Sequence, residues 1–348
     1  MDFKPHFLTT QIGSMPYPDG KAICERLVSI LDIPAWPQLS RRSFHENMYV
    51  QFSPPLPGIV TDEGREKIIF DTENDISPAL EEFYGRYLAE DVDYFGLRPD
   101  YAAGFYNMMD TLHKTPGEWA KGQVTGPISF GLTVTDQNLR ASLYDDMLAD
   151  VIVKNMAMNA RWQVRQLRSA RSNIIIFVDE PYLASFGSAY ISLSREQVIT
   201  MLDEVFAGIH AEGAMAGVHC CANTDWSVLL STQVDILNLD AFGYLENLSL
   251  YAAELRAFLD RGGCVAWGIV PTGQEILEVN GPALAKRLRD GLEMIGQKSR
   301  GRGISIDPDE LATHSLVTPS CGLGSTTIEV TERVLETLVR TGEILKKG

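Results

Sequence analysis

The stretch AMAGVHCCAN, residues 214–223, decides how this chain is read. It begins as a short apolar run of strand length and ends in His219, Cys220 and Cys221. Successive side chains of a strand point to opposite faces, so His219 and Cys221 share one face and Cys220 takes the other. The stretch offers two neighbouring ligands rather than three, at the point where a strand gives way to a loop.

The same form recurs along the chain. NIIIFVDE (173–180), VDILNLD (234–240), GCVAWGI (263–269) and HSLVTPS (314–320) are further strand-like runs. Longer amphipathic stretches lie between them, at 194–212, 226–231, 248–261 and 283–297, and 326–346 closes the chain. Upstream, FLTTQIGS (7–14), DYFGLRP (93–99) and GQVTGPIS (122–129) supply three more strands, followed by a helix over about residues 143–170. Eight strands separated by helices predict an α/β fold, a (β/α)8 TIM barrel, which needs roughly 250 residues before insertions. The 348 residues therefore read as a single domain, 1–348, with a surplus. Residues 40–73 hold part of it: ENMYVQFSPPLPG (46–58) and EKIIFDT (66–72) read as an early inserted β-hairpin with a proline-rich turn.

Composition narrows the partners. Hydrophobic residues make up 45% and charged residues 22%, as in ordinary globular proteins. A net charge of -16 argues against nucleic acid and against an anionic membrane surface, and favours small molecules or proteins. The start MDFKPHFLTTQIG lacks the pattern of a secretory leader, and no run approaches eighteen apolar residues, so a cytoplasmic protein is expected. Five scattered cysteines are an odd number and do not form a disulfide framework; reduced thiols or metal-bound thiolates fit better.

In a barrel the strand ends QIGSMP, GLRP, TGP, DEP, HCCAN, LDAF, WGIVPTG and TPSCG converge on one face, where barrel enzymes keep their active sites. His219 and Cys221 then meet Cys321 of the last strand end and Asp240 of the strand end after their own. Two thiolates, an imidazole and a carboxylate would make a tetrahedral zinc site. Buried, inert cysteines and a hydrogen-bonded histidine are the alternative, and Asp240 serves equally as a helix cap. Cys24 and Cys264 read as core residues.

TTQIGSMP, VTGPIS, VDEP, HCC, WGIVPTG and TPSCGL carry a resemblance. The chain is similar over its full length to the catalytic C-terminal barrel of cobalamin-independent methionine synthase. The wider family includes uroporphyrinogen decarboxylase and the methylcobamide:coenzyme M methyltransferases. The resemblance implies zinc on His219, Cys221, Asp240 and Cys321, with Asp240 standing where the family usually has Glu. It further implies that Ile12, Gly13 and Ser14 hold the carboxylate of homocysteine and that Asp179 holds its ammonium group.

Departures from the family point to the methyl donor. The glutamate expected after DEP to contact folate falls near Ser185, and AWGIVPTG lacks the histidine expected to protonate the folate leaving group. FGLRPDY, set against the family's HGEPER-like segment, has Arg98 and no glutamate. These losses favour a methylated corrinoid, free or carried by a protein, over methyltetrahydrofolate. The expected function is thus zinc-dependent methylation of a thiol, homocysteine giving methionine. Two alternatives stand beside it: a small anionic thiol such as coenzyme M, read by Arg98, and a metal-binding adaptor without catalysis.

Overall fold

The computed structural model describes residues 3–188 and 191–347. Ten strands are present among them. In chain order they are β1 (Leu8–Thr9), β2 (Ile59–Asp62), β3 (Lys67–Phe70), β4 (Trp119–Thr125), β5 (Thr135–Asp136), β6 (Asn173–Asp179), β7 (Met215–Cys220), β8 (Ile236–Leu239), β9 (Cys264–Val270) and β10 (Ser315–Pro319). Seven of them form one parallel sheet in the order β1-β10-β9-β8-β7-β6-β4. Its two edges, β1 and β4, are joined by residues 33–38. Ile33 bridges Thr10 on one side and Ala35 bridges Lys121 on the other, both in parallel. This eighth stave completes a TIM-barrel-like α/β fold.

The stave corrects one expectation. DYFGLRP is not a barrel strand: Val92–Phe95 is a 3-10 turn, and its Phe95 carbonyl accepts from Asn159 Nδ2 at 2.7 Å, outside the sheet. The position belongs to IPAWPQ, residues 33–38. Pro34 and Pro37 have no N–H, so the ladder is reduced to bonds such as Ile33 N–H to the Thr9 carbonyl (3.1 Å) and Lys121 N–H to the Pro34 carbonyl (2.9 Å). Such a segment looks like a loop in sequence and serves as a strand only because both neighbours hold it.

The inserted hairpin exists with shifted limbs. β2 and β3 pair antiparallel from Ile59 opposite Phe70 to Asp62 opposite Lys67, and β5 joins β3 in parallel. The connection turns through Glu66 in the left-handed region at φ 49°. ENMYVQF, expected within the first limb, instead follows from a 3-10 turn at Phe44–Glu46 and runs on as turns through residue 52. Its following prolines, 54, 55 and 57, deny it a ladder.

Helices cover the outside. The long helix Asp146–Arg168 begins at Asp145, whose carboxylate accepts from the N–H groups of Met147 and Leu148. Arg195–Ala211 begins with a capping box between Ser194 and Gln197. Ile174, Ile176 and Val178 of β6 point outward and are buried with Val198, Leu202 and Val205 in the larger apolar cluster. Each such side chain contributes roughly 1.5–3 kcal/mol by leaving water. The inward-facing residues alternate with these: Ile33, Ile175, Met215, Ile236 and Leu316 form an apolar floor inside the barrel with Phe3 and Cys264. Among the described residues no helix is long and apolar enough to cross a membrane.

Candidate metal centre and substrate pocket

Register places the polar ends side by side. Asp179 pairs with His219, His219 with Asn238, and Asn238 with Ala266, a continuous row across β6, β7, β8 and β9. All of these residues have inward parity, and the mouth of the barrel is where the apolar floor gives way to them.

His219 is buried, and its Nδ1 lies 2.5 Å from Asn238 Oδ1. The Asn238 amide is itself oriented, because its Nδ2 donates to the Ala266 carbonyl (2.7 Å) and to Thr318 Oγ1 (2.9 Å). Nδ1 therefore carries the proton, and Nε2 keeps its lone pair for an electrophile. Asn238 was not singled out from the sequence; its signal was a polar residue inside the apolar run VDILNLD.

Cys321 reaches the same place through an irregularity. The register of β10 against β9 shifts between Thr318 and Pro319, a bulge that re-aims the chain beyond it. One ligand atom from each of His219, Cys221 and Cys321 lies within 4.8 Å of the other two. The Cys221 thiol is held well below its ordinary pKa by its contacts with the Cys321 thiol and the His219 imidazole, while Cys321 is pushed up by the same sulfur contact and by burial. Two polarised sulfurs and an imidazole nitrogen at this spacing fit a tetrahedral borderline-soft cation and leave a fourth position open. Cys220 faces the outer core, where burial pushes its pKa up to about 12.

Asp240 stands beside this group and outside it. Its carboxylate accepts from the Gly243 N–H at 2.9 Å and caps the short helix Ala241–Tyr244. Burial raises its pKa, and the charges of Cys221 and His219 act on it, but it is absent from the three-residue cluster. The helix cap uses one carboxylate oxygen, Oδ1.

The cluster opens into a cavity of ≈350 Å³. Ile12, Ser14 and Asp179 line it with the three metal-type residues. Opposite them stand Gln38, Met48 and Tyr49 from the stave and the turns that follow it, residues that sequence reasoning missed because their backbone is irregular. Gly13 lies between two lining residues, and a Cβ there would fall 2.9 Å from Gln123 Cδ and 3.0 Å from Gln38 Oε1, so any side chain would press on both amides. The next loop interlocks with it: a Cβ on Gly322 would fall 2.1 Å from Ser14 Oγ.

Two kinds of polar group in or beside this cavity have no partner. Asp179 is buried and its Oδ1 accepts no hydrogen bond; burial raises its pKa against the opposing charges of His219 and Lys121. The N–H groups of Gly13 and Ser14 donate to no acceptor among the described residues, although Gly13 O and Ser14 O are both used. The adjacent Glu180 differs from Asp179: its carboxylate accepts from Ile128 N (3.0 Å), Ser129 N (2.8 Å) and Ser129 Oγ (2.6 Å), and burial raises its pKa to about 7. It caps the helix Pro127–Thr133 and is structural.

Arg98 is exposed and is not among the residues that line the cavity. The reason is topological, since the barrel's second stave ends at Gln38 rather than at Pro99. Ser185 is likewise exposed and outside the cavity lining.

A parallel barrel with an imidazole and two thiols gathered at the mouth is the class of site that the geometry defines. No family model matches the chain, and no curated protein matches it in sequence. Solved structures do share its fold. A B12-independent methionine synthase from Shewanella sp. W3-18-1, in complex with selenomethionine, is similar at a TM-score of 0.56 and 16% identity, covering 98% of each chain. A methyltransferase from Methanosarcina mazei is similar at a TM-score of 0.56 and 11% identity, covering 100% of this chain and 94% of that one.

Proposed function

We propose that this protein is a zinc-dependent methyltransferase acting on the thiol of an α-amino acid, homocysteine, to give methionine. The observation that carries the reading is one cavity that gathers three separate functions: the His219, Cys221 and Cys321 donors, the unpaired Asp179 oxygen, and the Ile12–Ser14 strand end, whose Gly13 and Ser14 N–H groups have no acceptor among the described residues. An amino acid with a thiol has the matching groups. Its carboxylate takes the two N–H groups, its ammonium takes Asp179, and its sulfur reaches the metal donors. The likeness in fold to a methionine synthase holding selenomethionine and to a second methyltransferase supports the same chemistry.

Zinc, when bound, supplies the positive charge that keeps a thiol deprotonated near neutral pH. The residues of the chain do the rest. Asn238 holds His219 in the tautomer that presents Nε2. Asp179 and the Ile12–Ser14 strand end orient the substrate so that its sulfur faces the open mouth. The sulfur lone pair then forms the new bond to the methyl carbon, and the electrons of the old bond leave with the donor.

We assign the donor as a methylcorrinoid, with a corrinoid protein as the partner that presents it. The corrinoid metal leaves with the bonding pair and needs no proton, consistent with the absence of a histidine from AWGIVPTG. An anionic thiol such as coenzyme M suits the site less: among the described residues no lysine or arginine lines the cavity. The test is metal analysis together with methionine formation from homocysteine, using methylcobalamin and methyltetrahydrofolate in parallel. Stoichiometric zinc with turnover on methylcobalamin is expected. Turnover on the folate would overturn the donor, and a zinc-loaded protein whose X-ray absorption is unchanged by homocysteine would favour a non-catalytic adaptor.

A further inference from the structure

Lys121 is the most improbable side chain in the barrel. It lies inside on β4 with no exposed surface. No carboxylate forms an ion pair with it among the described residues; its Nζ donates to the Ile12 carbonyl at 2.6 Å and lies 4.3 Å from the centre of the Phe177 ring. Burying an ammonium group without an ion-pair partner costs several kcal/mol, and methionine would fill the same volume without that cost. Burial lowers its pKa while Asp179 opposes the shift, and the amine keeps an N–H to donate in either protonation state.

What the bond does follows from peptide geometry. A trans peptide is planar, with its C=O and the following N–H pointing in opposite directions. The Ile12 carbonyl is drawn to Lys121, so the Gly13 N–H of the same peptide points away from Lys121. That N–H has no acceptor among the described residues, and Gly13 lies between Ile12 and Ser14, which line the cavity.

We propose that Lys121 is a positioning residue for substrate: by anchoring the Ile12 carbonyl it aims the Gly13 N–H at the carboxylate of the bound amino acid. The inference rests on the amino-acid reading of the site and assigns it a determinant that touches no substrate atom. Lys121 discriminates between a thiol that carries an α-carboxylate and one that does not. Without it the Ile12 carbonyl is buried and unsatisfied, and the peptide is free to turn.

The test compares wild-type holoprotein with Lys121→Met and Lys121→Gln, using homocysteine and its decarboxylated analogue 3-aminopropanethiol. Zinc content is measured alongside binding and KM. Lys121→Met is expected to keep its zinc and to bind the analogue as wild type does. Its KM for homocysteine should rise about 10- to 100-fold with kcat within a few-fold, the loss expected for one hydrogen bond to a charged group. Lys121→Gln, whose amide still donates, should recover part of the loss and serves in its place should the methionine variant not fold. Equal weakening of both thiols, or none, would overturn the role of Lys121. Wild-type protein that binds homocysteine no better than the analogue would instead overturn the amino-acid reading on which the inference rests.

Discussion

The two sides of the barrel mouth are built differently. On one side His219, Cys221 and Cys321 sit at the ends of β7 and β10, and Asn238 of β8 locks the imidazole from behind. A regular ladder positions His219 and Asn238, while Cys221 and Cys321 lie just past the ends of β7 and β10, the latter after a bulge. On the other side Gln38, Met48 and Tyr49 come from a proline-broken stave and a chain of turns, and the strand end that carries Ile12 and Ser14 is held by isolated backbone bonds to Gln38 and Leu323 and by the Lys121 side chain. A metal ion, as proposed, would tolerate little error in bond length, which suits donors carried on or next to strand ends. The substrate side needs only to offer hydrogen bonds and shape, which an irregular backbone supplies as well.

The largest effect is expected from the metal side. Cys221→Ser and Cys321→Ser should each lose stoichiometric zinc and all measurable turnover, because no residue nearby replaces a thiolate. Metal analysis after dialysis checks this. Full zinc in either variant would mean that the cluster is not the metal centre, and the contrast between the two sides would collapse.

A step behind the ligands, Asn238→Ala should weaken zinc affinity about 10- to 100-fold while the fold stays intact. The variant leaves Nδ1 of His219 without its acceptor, so the ring loses both its tautomer and its orientation. Competition with a chromogenic chelator reads the change. An unaltered affinity would show that the ladder alone positions the ring, and that the buried network around Thr318 and Ala266 has another purpose.

The metal side was also the readable one. Alternation along AMAGVHCC separates Cys220 from its neighbours without any structure, and convergence of strand ends brings Cys321 to them from a hundred residues away. The substrate side hid for a physical reason. IPAWPQ lacks the β-branched, proline-free composition of a strand, so DYFGLRP was placed in the barrel instead and carried Arg98 with it. Asn238 and Lys121 were overlooked for the opposite reason: each is a single polar residue within an otherwise well-formed strand, and a search of strand ends passes over it.

Asp240 divides the two styles of construction. It has the sequence position of a ligand and the bonds of a helix cap. Asp240→Ala should therefore keep its zinc and lose about 1 kcal/mol of stability, the usual effect of removing an N-cap side chain. Parallel metal analysis and urea unfolding distinguish the roles. Loss of zinc at unchanged stability would return Asp240 to the coordination sphere and make the site four-coordinate in protein ligands.

The smallest effect concerns the seam that supports the substrate side. Asp32, just before the stave, accepts from Thr9 N (2.8 Å) and Thr9 Oγ1 (2.7 Å) of β1 and pairs with Lys346 at the end of the C-terminal helix. Burial pushes its pKa up, but the bonds from Lys346 and Thr9 outweigh that and hold the carboxyl below its ordinary value. A depressed folded-state pKa contributes stability that is complete above the unfolded value of about 3.9 and is lost as pH falls through the lower folded value. With the pair part exposed, Asp32→Asn should cost about 1 kcal/mol at neutral pH. The difference from wild type should shrink as the pH is lowered from about 5 toward 2, because both proteins then carry a neutral side chain there. Urea unfolding across that range gives the answer. A difference independent of pH would mean that the seam is held by shape and neutral hydrogen bonds, and that the substrate side owes nothing to charge.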